Sequence, residues 1–445
     1  MQLDCTFRVQ IPHRAGQLAK VTGAIGEGGG IIGELTTVSL GRETSVRDIT
    51  VEVEDMTQAE RIAGLVEAIV DVKLIWYRDR ALLRHEGGKL FMDAVHPITT
   101  VQEMRDYYTP GVARVADAIA AQPSLASRYT MIGRSVAICT NGTRVLGLGD
   151  IGPVASMPVM EGKAVFYRQF AGISAIPILI DSKDPDTFVD TVIRIAPTFG
   201  GIHLEDIAAP TCFDIERRLI EAIPKPVMHD DVHGTAVVAL AAVMTACRQV
   251  GINLERAAVG QIGLGAAGYG IAALMADAGV RRVLGADPSP DACRMASSRH
   301  RIEITDIDKM MLQADVVVAT TGKPGLIKPS MVRRGQIILA LSNPYPEIEP
   351  EEAMAAGAAF AADGRSVNNV LGYPGIFRGA LLAGARRINL AMKLMAARAL
   401  AAMTEPPELV PDPLDRSVHE RVAQAVVEAA MGSGVANPQR APTGL

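Results

Sequence analysis

A chain of 445 residues, 49% hydrophobic and 21% charged, is too long for a single core and has the composition of an ordinary globular protein of two or three domains. Its net charge of −5 argues against nucleic acid as the main partner. The start, Met1-Gln2-Leu3-Asp4, has no basic stretch ahead of an apolar run, and the best apolar run, 235–247, is too short for a membrane span. We therefore expect neither a secretory signal nor a membrane partner. Five scattered cysteines (Cys5, Cys139, Cys212, Cys247, Cys293), none in a Cys-x-x-Cys pair, exclude a disulfide framework and a zinc site and suit a reducing cytoplasm. Cys212, near an acidic cluster, reads as a small core filler.

Residues 1–85 read as a separate module. Alternating apolar residues predict strands over 3–11, 31–40, 46–54 and 72–77, and helical spacing predicts helices over 14–26 and 57–70. The order βαββαβ is the ferredoxin-like split motif. The turn Pro12-His13-Arg14-Ala15-Gly16-Gln17-Leu18 and the run Gly28-Gly29-Gly30 resemble an ACT domain, which implies a small effector; a ligand-free dimerisation module is the alternative. Residues 84–89 read as a linker. From 90 to about 225, helices (101–121, 185–195) alternate with apolar strands (136–140, 176–181), the mark of an α/β domain. A helix over 235–250 leads into residues 255–375, which repeat strand, turn and helix. A helical stretch over 376–404, a proline-rich break at Glu405-Pro406-Pro407, one more helix and a frayed tail complete the chain.

Two acidic clusters stand in the first α/β region: Leu204-Glu205-Asp206-Ile207 and His229-Asp230-Asp231-Val232-His233-Gly234-Thr235. Four carboxylates brought into one core repel unless a positive group holds them, and a hard divalent cation takes oxygen ligands. Lone acidic residues more often cap helices or face water, but two adjacent pairs make that reading weak here. Upstream, Glu161-Gly162-Lys163-Ala164 supplies a candidate general base.

Gly-x-Gly-x-x-Gly occurs twice, at Gly147, Gly149, Gly152 and at Gly263, Gly265, Gly268. The second copy follows an apolar strand (257–262) and opens a helix (266–278), so Gly263, Gly265, Ala266, Ala267 and Gly268 are placed to receive a pyrophosphate at a helix N-terminus. Asp287, closing the next strand (281–286), is placed to accept from ribose hydroxyls and to repel the extra phosphate of NADP. That favours NAD, although nearby Ser289 and Arg294 keep NADP open. Later strands (315–319, 336–341) end in Thr320-Thr321-Gly322 and Ser342-Asn343-Pro344, polar strand ends of the kind that contact ligands in such sheets. Pro153 and Pro158 follow the first copy closely, so we expect no long helix there and read it as a loop at the substrate site.

Together these motifs resemble the malic enzymes, in a bacterial form with an ACT-like domain in front. The resemblance spans roughly 90–400 and rests on Tyr108-Thr109-Pro110-Gly111-Val112-Ala113, Val145-Leu146-Gly147-Leu148-Gly149-Asp150, Glu161-Gly162-Lys163-Ala164, Leu204-Glu205-Asp206-Ile207, His229-Asp230-Asp231, Ser342-Asn343-Pro344 and Asn368-Asn369-Val370. It implies an ACT-like domain (1–85), an α/β substrate and metal domain (90–232), a Rossmann-type NAD-binding domain (233–400) and a helical tail (401–445). It further implies a homo-oligomer that oxidatively decarboxylates malate to pyruvate and carbon dioxide.

By the same resemblance Glu205, Asp206 and Asp231 would hold Mg²⁺ or Mn²⁺. Lys163 would be the general base, with Asp230 orienting it, and Tyr108 the general acid, with Tyr107 a neighbouring decoy. Arg144, Asn343 and Asn369 would bind substrate carboxylates, with Asn343 also on the nicotinamide side and Asn368 in reserve. Thr321 and Gly322 would touch the cofactor. Apart from the resemblance, His203 and His233 flank the acidic clusters and could ligate, but a hard cation's preference for oxygen favours a supporting or structural role. Two other readings remain: an amino-acid dehydrogenase, which has no use for the acidic clusters, and a metabolite sensor without catalysis, which would not need Lys163 and Tyr108.

Overall fold

The structure is a computed structural model that describes residues 3–145 and 147–442, the side chain of Ser366 apart. Leu146, within the first glycine motif, lies outside the described residues. The chain divides into two compact units, Met1–Phe91 and Met92–Leu445.

In the first unit, strands β1 (Leu3–Pro12), β2 (Ile31–Leu40), β3 (Thr44–Val53) and β4 (Lys73–Asp79) form one antiparallel sheet in the order β2-β3-β1-β4. Helices Gln17–Glu27 and Met56–Glu67 complete the order βαββαβ. Alternation along β1 turns Cys5, Phe7, Val9 and Ile11 into the core, where they meet Ile49 and Val51 of β3 and Val21, Ile25, Ile62 and Val66 of the helices. Burial of each such aliphatic side chain is worth about 1.5–3 kcal/mol. Gly30 is required where helix passes to strand: a Cβ there would stand 2.5 Å from Val51 Cγ1. Asp55 caps the second helix by accepting the Gln58 N–H.

The second unit contains two parallel sheets. Strands β5 (Ser135–Thr140), β6 (Ser174–Leu179), β7 (Gly201–Leu204) and β8 (Val227–His229) form one, in the order β6-β5-β7-β8. Strands β9 (Ala258–Ile262), β10 (Arg282–Ala286), β11 (Ile302–Ile304), β12 (Val316–Ala319), β13 (Ile337–Ala340) and β14 (Phe360–Asp363) form the other, in the order β11-β10-β9-β12-β13-β14. That order, with all pairings parallel, is the Rossmann arrangement. Strands such as β5, β12 and β13 are buried throughout, as sheets covered on both faces require.

Four expectations change. The helix expected over 101–121 is two helices, Val101–Tyr107 and Gly111–Ala121, because Pro110 between them has no N–H to continue the ladder. A helix does start at the first glycine motif: Pro153–Phe166 begins directly after Gly152, with Pro153 in the first turn, where a missing N–H costs nothing, and Pro158 tolerated inside. The helix expected from 235 begins at Asp230 and runs 21 residues to Val250, so Asp230 and Asp231 belong to its first turn. By length and composition it could cross a membrane, but 78% of its most apolar stretch is buried, and it packs against helices Ala266–Asp277 and Leu390–Met403. The last long helical stretch divides into Tyr373–Leu382 and Leu390–Met403, ahead of Arg416–Gly432.

Candidate active site

Strands β7 and β8 are neighbours in a parallel sheet, so both acidic clusters emerge from the same edge. Glu205 and Asp206 follow β7, and Asp230 and Asp231 open the helix after β8. Carboxylates near a helix N-terminus meet unpaired N–H groups and the positive end of its dipole. The Asp206 N–H donates to Asp231 Oδ2 at 2.9 Å, locking the two segments together. Asp206 adopts φ 54°, a left-handed conformation that is rare outside glycine and concentrates at functional sites. One oxygen each from Glu205, Asp206 and Asp231 lie within 4.8 Å of one another.

Charge decides what this cluster wants. Glu205, Asp206 and Asp230 are buried and Asp231 half-buried, and Lys163 brings its ammonium to Glu205 and Asp230. Burial, then the charge of Asp231, pushes the Glu205 carboxyl well above its ordinary range despite the pull of Lys163. An oxygen-only donor set with excess negative charge fits a hard divalent cation such as Mg²⁺ or Mn²⁺.

Lys163 sits late in the helix Pro153–Phe166. Its Nζ donates to Asp230 Oδ2 at 2.6 Å, lies 3.1 Å from Glu205 Oε1, and stands 4.5 Å above the centre of the Tyr373 ring. Burial pulls the Lys163 ammonium down, but Asp230 and Glu205 overcome it and hold the group well above the ordinary lysine value. The Asn369 amide also donates to Asp230 Oδ2, at 2.9 Å. One of its two N–H groups is thus committed to Asp230 instead of to a substrate carboxylate. Asn368, which the spacing left open, instead caps a turn by accepting the Val370 N–H.

Sequence reading missed part of this centre. His203 on β7 was expected to support the site, and its Nε2 lies 2.6 Å from Glu205 Oε2. Its Nδ1 pairs at 2.8 Å with the Tyr167 hydroxyl, which was not foreseen. Burial pushes His203 well below and Tyr167 well above their ordinary values, so both stay neutral. Both ring nitrogens of His203 are thus engaged, one by Tyr167 and one by Glu205, which fixes that carboxyl group. The available signal was the four-residue step from Lys163 to Tyr167. His233 bonds to Glu216 at 3.0 Å rather than to the acidic cluster. Cys212 is buried filler.

Other candidates lie at the surface. Tyr108 ends the helix Val101–Tyr107 and is 74% exposed, and its hydroxyl has no hydrogen-bond partner among the described residues. Arg144 is exposed, but its backbone N–H donates to Asp206 O at 3.0 Å, which ties it to the acidic segment.

The second glycine motif joins β9 to the helix Ala266–Asp277. A Cβ on Gly268 would lie 1.9 Å from Gly263 O, so only glycine permits this close turn. Gly265, Ala266 and Ala267 stand at the start of that helix. Asp287, at the end of β10, accepts the Leu264 N–H at 2.7 Å and the Ser289 N–H at 2.8 Å, which anchors its carboxylate beside the loop. Arg294 pairs with Asp291. Thr321, Gly322 and Asn343 follow β12 and β13, and the Asn343 amide donates to Gly364 O at 3.2 Å.

A Rossmann sheet beside a lysine and an oxygen-donor cluster defines a metal-assisted, dinucleotide-dependent enzyme, and comparison with known proteins makes the class specific. Residues 89–220 match the malic enzyme N-terminal domain. The chain is 52% identical to NAD-dependent malic enzyme 1 of Bacillus subtilis (strain 168), across 96% of this chain and 97% of that protein. It is 41% identical to an NAD-dependent malic enzyme of Geobacillus stearothermophilus, across 99% and 97%. Its fold is similar to the crystal structure of malic enzyme from Pyrococcus horikoshii Ot3, with TM-score 0.75 and 40% identity over 79% of this chain and 88% of that one. The chain belongs to the malic enzyme family.

Proposed function

We propose that this protein oxidatively decarboxylates L-malate to pyruvate and carbon dioxide while reducing NAD. The observation that carries the reading is Lys163, clamped by Asp230 and Glu205 beside the oxygen cluster of Glu205, Asp206 and Asp231. Family membership displaces the amino-acid dehydrogenase and sensor readings.

Glu205, Asp206 and Asp231 would hold Mg²⁺ or Mn²⁺, and the cofactor would lie along Gly263, Gly265, Ala266, Ala267, Gly268, Asp287, Thr321, Gly322 and Asn343. When bound, such a cation would supply Lewis-acid polarisation and charge neutralisation for the substrate, and the nicotinamide would supply the hydride acceptor. Lys163 Nζ would take the C2 hydroxyl proton in its neutral form; Asp230 and Glu205 hold the ammonium without a metal, and a cation drawing off the charge of Glu205 and Asp231 would release it, with Asp230 aiming the amine. Arg144, with its planar fork, and Asn369, with its remaining N–H, bind substrate carboxylates. Tyr108 returns a proton to C3 after carbon dioxide leaves. Asp287 favours NAD over NADP because a carboxylate repels a further phosphate.

The helix Val101–Tyr107, which Tyr108 caps, exposes Val101, Met104 and Tyr107 at three-residue spacing. A second copy of the chain would cover this patch and carry Tyr108 into a site, so we read the enzyme as a homo-oligomer. Residues 1–85 we read as an ACT-type regulatory domain. The βαββαβ order supports it, as does Gln17 at the start of the first helix, buried with no partner for Oε1. The unpaired cysteines fit a cytoplasmic setting.

The test is NADH formation from L-malate with Mn²⁺, with pyruvate identified as product. Loss of turnover on chelation and its return with Mn²⁺ supports the reading. Oxaloacetate as the final product, or turnover indifferent to chelator, overturns it. For the first unit, full-length enzyme titrated with single amino acids should change malate turnover for at least one, and no response across the set would remove the effector.

A further inference from the structure

We propose that Glu347 is a positioning residue for the dinucleotide cleft, clasping together the loops that follow β12 and β13. The inference rests on the cofactor assignment above. Glu347 is completely buried, and nothing in the reaction uses it. Its Oε1 accepts three hydrogen bonds: from the Thr321 N–H at 2.6 Å, the Thr321 hydroxyl at 2.7 Å and the Ser342 hydroxyl at 2.6 Å. Ser342 Oγ in turn accepts the Gly322 N–H at 2.8 Å. The backbone continues the seam, with the Ile327 N–H donating to Glu347 O at 3.0 Å and the Gly325 N–H to Pro346 O at 3.3 Å.

Among the described residues no ammonium or guanidinium pairs with this carboxylate; neutral dipoles hold it. Its other oxygen, Oε2, is buried with no hydrogen-bond partner among the described residues, so the clasp is carried wholly by Oε1. Three donors on one oxygen also demand an acceptor head group. The effect reaches the glycine loop directly. Thr321 Cγ2 and Thr320 O stand 3.1 and 2.9 Å from where a Cβ on Gly263 would be. Gln261 Nε2 bonds both Thr320 Oγ1 at 2.9 Å and Gly263 O at 3.1 Å. Glu347 therefore sets Thr321, and Thr321 abuts the first glycine of the pyrophosphate turn. Preorganised loops bind a ligand more tightly because less ordering is left to do on binding.

The experiment uses the full-length enzyme and measures NADH affinity by direct fluorescence titration without malate, Mn²⁺ affinity by electron paramagnetic resonance, and steady-state kinetics. Glu347→Ala should weaken NADH binding and raise KM for NAD by about tenfold, with kcat at saturating NAD and Mn²⁺ affinity within about threefold of wild type. Glu347→Gln, which keeps an acceptor oxygen, should recover most of the loss. Where Glu347→Ala does not fold, Ser342→Ala, which removes a clasp hydroxyl outside the assigned cofactor contacts, carries the test and should weaken NADH binding by a few fold. Unchanged NADH affinity, or equal losses for NADH, Mn²⁺ and malate, overturns the proposal. Asp287→Ala is the control. If it weakens NADH binding while Glu347→Ala does not, the clasp alone is wrong; if neither does, the cofactor assignment falls with it.

Discussion

Lys163 and Tyr108, the two groups assigned to move protons, stand in opposite surroundings. Lys163 is held by Asp230 and Glu205 and faced by Tyr373, with every partner supplied by this chain. Tyr108 is three-quarters exposed, at a break between two helices in which no residue is buried. A buried charge cannot persist without partners, so the folding of one chain must complete the Lys163 centre. An exposed phenol makes no such demand, and its setting can be left to assembly. On the roles proposed above, the base half of the chemistry would be intrinsic to the fold, and the acid half would depend on what covers residues 92–121.

The strongest way to break this comparison is at its buried end. Lys163→Ala should lower kcat by about 10³-fold, within the range for loss of a general base, with a much smaller change in malate KM. A kcat within tenfold of wild type would remove Lys163 from the chemistry. The variant should also lose thermal stability, because Asp230 and Glu205 would be left without their counter-ion.

At the exposed end, Tyr108→Phe should lower kcat by about 10²-fold and leave the melting temperature unchanged, since the hydroxyl is exposed and has no hydrogen-bond partner among the described residues. Mixing Lys163→Ala with Tyr108→Phe sharpens the contrast. If a neighbour supplies Tyr108, mixed oligomers contain some sites with both native groups, and activity returns after subunit exchange. Mixed oligomers that form but stay inactive would place Tyr108 in its own chain's site.

How much of this was legible in the sequence follows the range of the contacts. Glu205-Asp206 and Asp230-Asp231 stand out as pairs, the second glycine motif lies between strand and helix, and Lys163 carries a local motif. The partners of those groups do not announce themselves. Tyr167 and His203 meet across 36 residues, and Glu347 reaches back 26 residues to Thr321. Such pairs depend on strand order, which apolar spacing does not encode. The helix after Gly152 was missed for a different reason: proline was read as a breaker where, at a first turn, it is a starter.

His203 tests whether the buried half depends on its hydrogen-bond chain as well as its ligands. His203→Ala removes a hydrogen-bond partner from both Glu205 and Tyr167. Mn²⁺ affinity should fall by about 10–100-fold, the usual cost of losing a group that orients a ligand. Unchanged Mn²⁺ affinity would mean that Glu205 needs no such support.

The smallest expected effect concerns Asp287, whose position joins the two ways a residue can set cofactor choice. Its carboxylate can repel the phosphate of NADP, and it also holds the Leu264 and Ser289 amides. Asp287→Ala removes both, so NAD should suffer a loss of loop order while NADP gains relief from repulsion. The ratio of kcat/KM for NAD over NADP should fall by about tenfold, mostly through poorer use of NAD. Asp287→Asn separates the two contributions, because its amide oxygen can still accept one backbone N–H without a full negative charge. If Asn preserves NAD use while improving NADP use, charge sets the preference. If it behaves as Ala does, anchoring of the glycine loop dominates, and an unchanged ratio in both variants would move cofactor selection away from β10 altogether.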